Sequence, residues 1–312
     1  MRLRYLLLVM IFCLPALADK QKKDFDVQQK LEEDVRMLCE TIGERNPYKY
    51  EKLQQAMKYI DKEVPENFVR KHQTYTIKNK SYTNLAFEKK GSKKIIVIGA
   101  HYDSAMGTPG ADDNASGVAV LIALSHMLKN YENKYTLRFV AFTLEEPPYF
   151  ASNNMGSARY AALMAKQKEQ VQAMICLEML GFYSEEHIQK YPDPALKNLY
   201  PAHANYVAVV SKFSDSMITS KFYKLLKSNN SLSTQLLIAP PHLTGVDFSD
   251  HRSFWEYNYP AFMITDTSFY RNDHYHKATD VAETLDYKKM AILTSALAKT
   301  IRTFDQDKTT KK

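Results

Sequence analysis

Five stretches of this sequence set imidazole or carboxylate groups where short apolar runs end. They are His101-Tyr-Asp103 after residues 94–100, the acidic pair inside Gly110-Ala-Asp-Asp-Asn-Ala-Ser-Gly117, Glu145-Glu146 after 137–143, Glu178 within 173–179, and Tyr275-His276 beyond 261–265. Imidazole nitrogen and carboxylate oxygen suit zinc, which takes them at about 2.0–2.2 Å, and the lack of cysteine among them argues against a closed structural site. Each group has a plainer use. A histidine at a strand end is more often only hydrogen-bonded, Asp113 and Asn114 could cap a helix starting near Ala115, and adjacent glutamates are usually solvated. The Glu145-Glu146 pair, however, follows Phe139-Val-Ala-Phe142, where surface residues seldom sit. Glu178 stands between Ile175-Cys-Leu177 and Met179-Leu180, and a buried carboxylate is costly unless a metal or partner neutralises it. His251 fits a supporting role, and His126, His187, His203 and His242 read as ordinary surface or core histidines.

Several elements must carry these groups. Apolar residues at Val27, Leu31, Val35, Leu38 and Ile42 recur at three- and four-residue steps, which predicts an amphipathic helix over about 26–45. A second helix is expected over 49–62, then strands at 73–77, 82–87 and 94–100. Helix and strand alternate from there: helices at 116–129, 155–168, 215–228 and 287–304, strands at 137–143, 173–179, 206–210, 235–238 and 261–265. That order implies an α/β chain, a three-layer αβα sandwich around a central mixed, mostly parallel sheet of about eight strands. In such sheets ligands gather beyond the carboxyl ends of the strands, which is where the candidate residues fall.

Residues 1–18 are expected to be a signal peptide: Arg2 and Arg4 precede an apolar run over 5–14 too short to span a bilayer, and Ala16-Leu-Ala18 offers a cleavage site after Ala18. The expected product is secreted or periplasmic, with residues 19–312 forming one domain. The formal charge of +7 is scattered apart from lysine clusters at 20–23 and 308–312, which gives no reason to expect a nucleic-acid partner. No second long apolar run predicts stable membrane insertion. Of three cysteines, only Cys39 and Cys176 follow the leader, so a disulfide framework is not expected.

Taken together, His101-x-Asp103, Gly110–Gly117, Glu145-Glu146, Leu177-Glu-Met179, Ser249-Asp-His251 and His276 resemble the co-catalytic dizinc aminopeptidases of the bacterial leucyl aminopeptidase and aminopeptidase Y type, from roughly Glu40 to the last helix. The resemblance implies two zinc ions per chain bridged by Asp113, with His101 and Glu178 completing one site and Glu146 and His276 the other. It favours His276 over His274 as ligand, because Tyr275-His276 with Asp280 matches the family pattern. It makes Glu145 the general base, and Asp103 the residue that orients His101. The physical case agrees: a carboxylate shared by two cations about 3.5–4 Å apart offsets their repulsion, and a free carboxylate beside them serves proton transfer. The activity implied is release of N-terminal residues from peptides with a free N-terminus, by a water activated between the metals and deprotonated by Glu145. Ser249 is a candidate to polarise the scissile carbonyl. Two positions depart from the pattern: Val246 stands where some relatives carry a tyrosine near the oxyanion, and Glu178 where many carry aspartate. Rival readings are a single-zinc glutaminyl cyclase, a carboxypeptidase on the same fold, and a metal-free binding or scaffold relative. The residues that set specificity are expected in loops at 149–154, 183–201 and 240–246.

Overall fold

The computed structural model describes residues 25–307. The expected leader and both terminal lysine clusters lie outside the described residues. The chain opens with α1 (Val27–Arg36), whose N-terminus is capped by Asp26 accepting from the Gln29 amide at 3.1 Å. Helical backbone continues through Met37–Ile42, and α2 (Tyr50–Glu63) follows. The strands are β1 (Val69–Arg70), β2 (Gln73–Ile77), β3 (Lys80–Lys89), β4 (Ser92–His101), β5 (Tyr135–Phe142), β6 (Gln170–Glu178), β7 (Tyr206–Ser211), β8 (Ser233–Ile238) and β9 (Ala261–Thr265). The remaining helices are α3 (Gly117–Leu128), α4 (Gly156–Lys166), α5 (Ser216–Asn229), α6 (His251–Trp255) and α7 (Tyr287–Gln306).

The strands form one nine-stranded sheet in the order β1-β3-β5-β4-β6-β9-β7-β8, with β2 paired to β3. The sheet is mixed. Its adjacent strands β5, β4, β6 and β9 are mutually parallel, while β3 runs antiparallel to β5 and β7 antiparallel to β9. β5 is buried at every position, which explains why it is apolar apart from Thr136 and Arg138; the Arg138 guanidinium is paired to Glu88 and Glu169, each at 2.6 Å. One face of the sheet packs against α1, α2, α3, α5 and α7 through Leu31, Leu53, Leu121, Phe222 and Leu297. The other packs against α4 and α6 through Tyr160, Met164 and Phe254. These are the expected three layers. α3 is apolar on all sides and buried along nearly its whole length, as a central helix must be. Because β5, β4, β6 and β9 point the same way, the chain segments leaving their carboxyl ends meet at one rim of the sheet.

Candidate metal centre

His101 is the last residue of β4 and Glu178 the last of β6, and Glu145-Glu146 lie just past β5. All four are buried. The His101 ring donates from Nδ1 to the Asp103 main-chain carbonyl at 3.2 Å, which turns Nε2 toward the carboxylates. The Asp103 side chain does something else. Its nearer oxygen is 3.6 Å from the His101 ring, whereas its two oxygens accept the main-chain amides of Glu145 and Glu146 at 3.1 and 3.0 Å. Asp103 therefore stands beside the histidine, as expected, holding its Nδ1 mainly through the backbone carbonyl, and its carboxylate also fixes the backbone of the glutamate pair.

Asp113 sits in the turn before α3, where Gly110 has φ +62° and a Cβ at Gly117 would strike Asn114 and the Leu177 carbonyl. Asn114 explains that close approach: its side-chain oxygen accepts from the Gly117 and Met179 amides at 3.1 Å each, and its amide donates to the Leu177 carbonyl at 2.9 Å. One asparagine thus starts α3 and ties the Asp113 turn to the end of β6.

The five expected ligands converge. His101 Nε2 is 3.2 Å from Asp113 Oδ1 and 3.4 Å from Glu178 Oε2. On the other side, His276 Nε2 is 3.1 Å from Asp113 Oδ2 and 3.2 Å from Glu146 Oε2. Donors held tetrahedrally at about 2.0–2.1 Å from zinc stand about 3.3 Å apart, so the imidazole–carboxylate edges of both sets have the right length. Each set can hold one ion, and Asp113 offers a different oxygen to each. His101 Nε2, Asp113 Oδ1 and Glu146 Oε1 are buried without hydrogen-bond partners. Orphaned polar atoms of that kind cost about 1–3 kcal/mol each, more when charged, and a cation held between His101 Nε2 and Asp113 Oδ1 removes the cost for those two. The residues fit two metal ions. Glu145 belongs to neither set, its Oε2 being 3.9 Å from His101 Nε2. His274 turns away to Thr279 at 2.9 Å, and His251 donates to the Val246 carbonyl at 2.8 Å, the supporting role expected of it. Ser249 is committed differently from the expectation: its hydroxyl donates to Glu178 Oε2 at 2.6 Å, so it fixes a ligand rather than facing a substrate carbonyl.

Charge tells the same story. Burial, with the neighbouring Asp113 charge, lifts Glu146 to about 7. Burial and repulsion from Glu146 and Glu178 push Glu145 well above the carboxylate range. Burial works against ionisation of Asp113, yet the facing imidazoles of His101 and His276 hold its pKa down. For His276, Asp113 and Glu146 overcome burial and raise it to about 10. Backbone strain gathers here too, since Leu144, Met179 and His276 have φ of 58°, 45° and 56°, in the left-handed region, at about 1–3 kcal/mol each.

One buried guanidinium was not foreseen. Arg45, from the stretch after α1, donates to the Tyr102 and Gly110 carbonyls at 2.7 and 2.8 Å and to the Pro109 carbonyl. It clamps both ends of the loop between His101 and Asp113. Beside the centre opens a cavity of about 200 Å³ whose walls include Tyr191, Tyr200, Tyr206, Val210, Leu237 and Met263. The Tyr191 and Tyr200 hydroxyls are spent on the Pro201 and Leu236 carbonyls, which leaves rings to face the space. Phe150, residues 189–192 and residues 244–246 also line it, in the three loops expected to set specificity.

A fold of parallel strands ending in a carboxylate and imidazole centre defines a class of α/β protein, and comparison with known chains narrows it. Residues 84–301 match the model of peptidase family M28, and the chain belongs to that family. Protein YfbL of Escherichia coli K12 is 39% identical over 274 residues, 84% of each chain. Leucine aminopeptidase 1 of Emericella nidulans is 28% identical over 214 residues, which cover 64% of this chain and 49% of that one; the chain thus spans about half of that relative. The solved structure of a zinc aminopeptidase from Bacillus subtilis superposes with a TM-score of 0.71 at 14% identity, covering 91% of this chain and 96% of its own, which shows a shared fold. Glutaminyl cyclases are among the structures with this fold as well, so fold alone does not choose between them.

Proposed function

We propose that this chain is an exported aminopeptidase that works with two zinc ions. The observation carrying the reading is the division of Asp113: one oxygen faces His101 and Glu178, the other faces Glu146 and His276. His101, Asp113 and Glu178 would hold one ion, and Asp113, Glu146 and His276 the other. Two such ions supply Lewis acidity that lowers the pKa of water and polarises a carbonyl. The chain's own residues do the rest. Glu145, buried and outside both ligand sets, takes the proton of the attacking water and passes it to the leaving amine. Asp103 holds the Glu145 amide so that the base keeps its place. Tyr275 lines the cavity beside His276, its ring stacked on the imidazole at 3.8 Å, and its hydroxyl has no hydrogen bond among the described residues. That hydroxyl is the donor available to the carbonyl oxygen in place of Val246, whose side chain is aliphatic. The ring-walled cavity suits a large apolar side chain on the N-terminal residue of the substrate.

Export rests on the leader pattern of residues 1–18; no helix among the described residues is long and apolar enough to cross a membrane. A mature N-terminus at Asp19, read by mass spectrometry, supports it, and an intact Met1 in the exported fraction refutes it. The activity is tested with zinc-loaded protein on aminoacyl p-nitroanilides and their N-acetylated forms. Hydrolysis restricted to free amines supports the reading. Cleavage of carboxyl-terminal residues, or cyclisation of N-terminal glutamine by protein holding one zinc, would replace it.

A further inference from the structure

We infer that Asp280 is a positioning residue that sets the shared ligand Asp113 from behind; the inference rests on the two-ion reading. Asp280 receives three consecutive amides of the Asp113 turn. Its main-chain carbonyl accepts from Ala111 at 3.2 Å, its Oδ1 from Asp112 at 2.9 Å, and its Oδ2 from Asp113 at 3.1 Å. The side chain is fully buried, and both of its oxygens are used on this turn. Asp280 also lies four residues beyond His276, on the loop that brings that ligand in, and its own amide is bonded back to the Lys277 carbonyl at 3.1 Å. A single short segment therefore delivers one ligand of the second set and grips the backbone of the ligand that both sets share. Removing the grip leaves two buried amides unanswered and frees the Asp113 carboxylate to rotate. Since each oxygen of Asp113 serves a different set, affinity for both ions falls together.

Asp280→Asn is the sharpest change, because it puts an NH2 group against one of the two N–H donors at constant volume. A fold-stabilising aspartate offers a matched control. Asp305 on α7 accepts two consecutive amides, Lys134 and Tyr135, at 2.7 Å each, but at the start of β5, the end opposite Glu145-Glu146. Asp305→Asn makes the same chemical change away from the site.

The experiment titrates apo wild type, Asp280→Asn and Asp305→Asn with Zn2+ against a chromogenic chelator, well below each melting temperature, and records the visible spectrum with Co2+. The expected result is a loss of about 10–100-fold in affinity for both ions in Asp280→Asn, the usual effect of removing a group that orients metal ligands, with a changed cobalt spectrum. Asp305→Asn keeps wild-type affinity and spectrum while melting earlier. Asp280→Ala, which removes both acceptors without setting a donor against the amides, is run in parallel and is expected to lose affinity for both ions as well. Wild-type affinity and an unchanged spectrum in whichever Asp280 variant folds would overturn the inference, as would an equal loss in Asp305→Asn. If wild type takes only one ion, the two-ion reading fails, and the affinity ratio for that ion still decides the role of Asp280.

Discussion

Replacing Glu145 with glutamine separates proton transfer from metal binding. The side chain keeps its size, and its main-chain amide stays on Asp103 Oδ1 at 3.1 Å, so the loop should not move. Neither set of donors includes Glu145, and zinc content should therefore stay at the wild-type level. What is lost is a carboxylate able to accept a proton, held 3.9 Å from His101 Nε2. A positioned general base contributes about 10²–10⁴ in rate, which at 1.36 kcal/mol per decade is about 3–5 kcal/mol of barrier. Substrate contacts are otherwise intact, so the fall appears in kcat and leaves KM within a few-fold. Stability should change little, because the substitution keeps the side chain's size and removes attraction to His101 along with repulsion from Glu146 and Glu178. The assay is steady-state hydrolysis of an aminoacyl p-nitroanilide beside metal analysis and thermal melting of the same sample. Undiminished kcat, or a loss that tracks missing zinc, would refute the role of Glu145.

Other changes have definite directions. Ser249→Ala removes the 2.6 Å donor from Glu178, worth about 1.5–3 kcal/mol as a bond to a charged group, and should weaken one zinc site about 10–100-fold while sparing the other; equal weakening of both in a competition titration would contradict this. Tyr275→Phe should lower kcat at unchanged zinc content, and an unaffected kcat would remove the hydroxyl from the mechanism. His251 is buried and its pKa is lowered by that burial to about 4. The unfolded chain takes up this proton near pH 6.5 and the native one only near 4, so the contribution, about 3 kcal/mol, is present above pH 6.5 and lost as pH falls toward 4. Urea unfolding should show His251→Gln losing less stability than wild type over that window; parallel pH profiles would be evidence against it. Ala208 lines the cavity, and Ala208→Trp should depress kcat/KM for N-terminal phenylalanine far more than for N-terminal alanine; an equal effect on both would show that the cavity does not take the substrate side chain.

Long periodic segments were legible in the sequence because burial wrote their pattern: α1, α7 and the run that became β5 need no partner to be recognised. β1 has two residues, Val69–Arg70, and exists only because β3 accepts them, so no periodicity could announce it. The antiparallel insertion of β7 beside β9 is likewise a property of the assembled sheet. Within the centre, the candidate residues stood out as imidazoles and carboxylates at strand ends, and their division into two ligand sets came from the family resemblance. The choice of His276 over His274 came from the family pattern; His276 faces Asp113 and Glu146, and His274 faces Thr279. Side chains that act on main-chain groups were hidden. Nothing local to Asp103 says that its oxygens meet amides 42 and 43 residues away, and Arg45 looks like any arginine until 57–65 residues of chain fold back upon it. Ser249 was noticed, but its partner could be settled only by the packing of α6 against β6.

The central claim is that one aspartate joins two ions. Crystals of the zinc-loaded protein, measured on either side of the zinc absorption edge, test it directly. The account predicts two anomalous peaks about 3.5–4 Å apart, one between Asp113, His101 and Glu178 and one between Asp113, Glu146 and His276. A single peak at full zinc loading, or two that do not both touch Asp113, would contradict it.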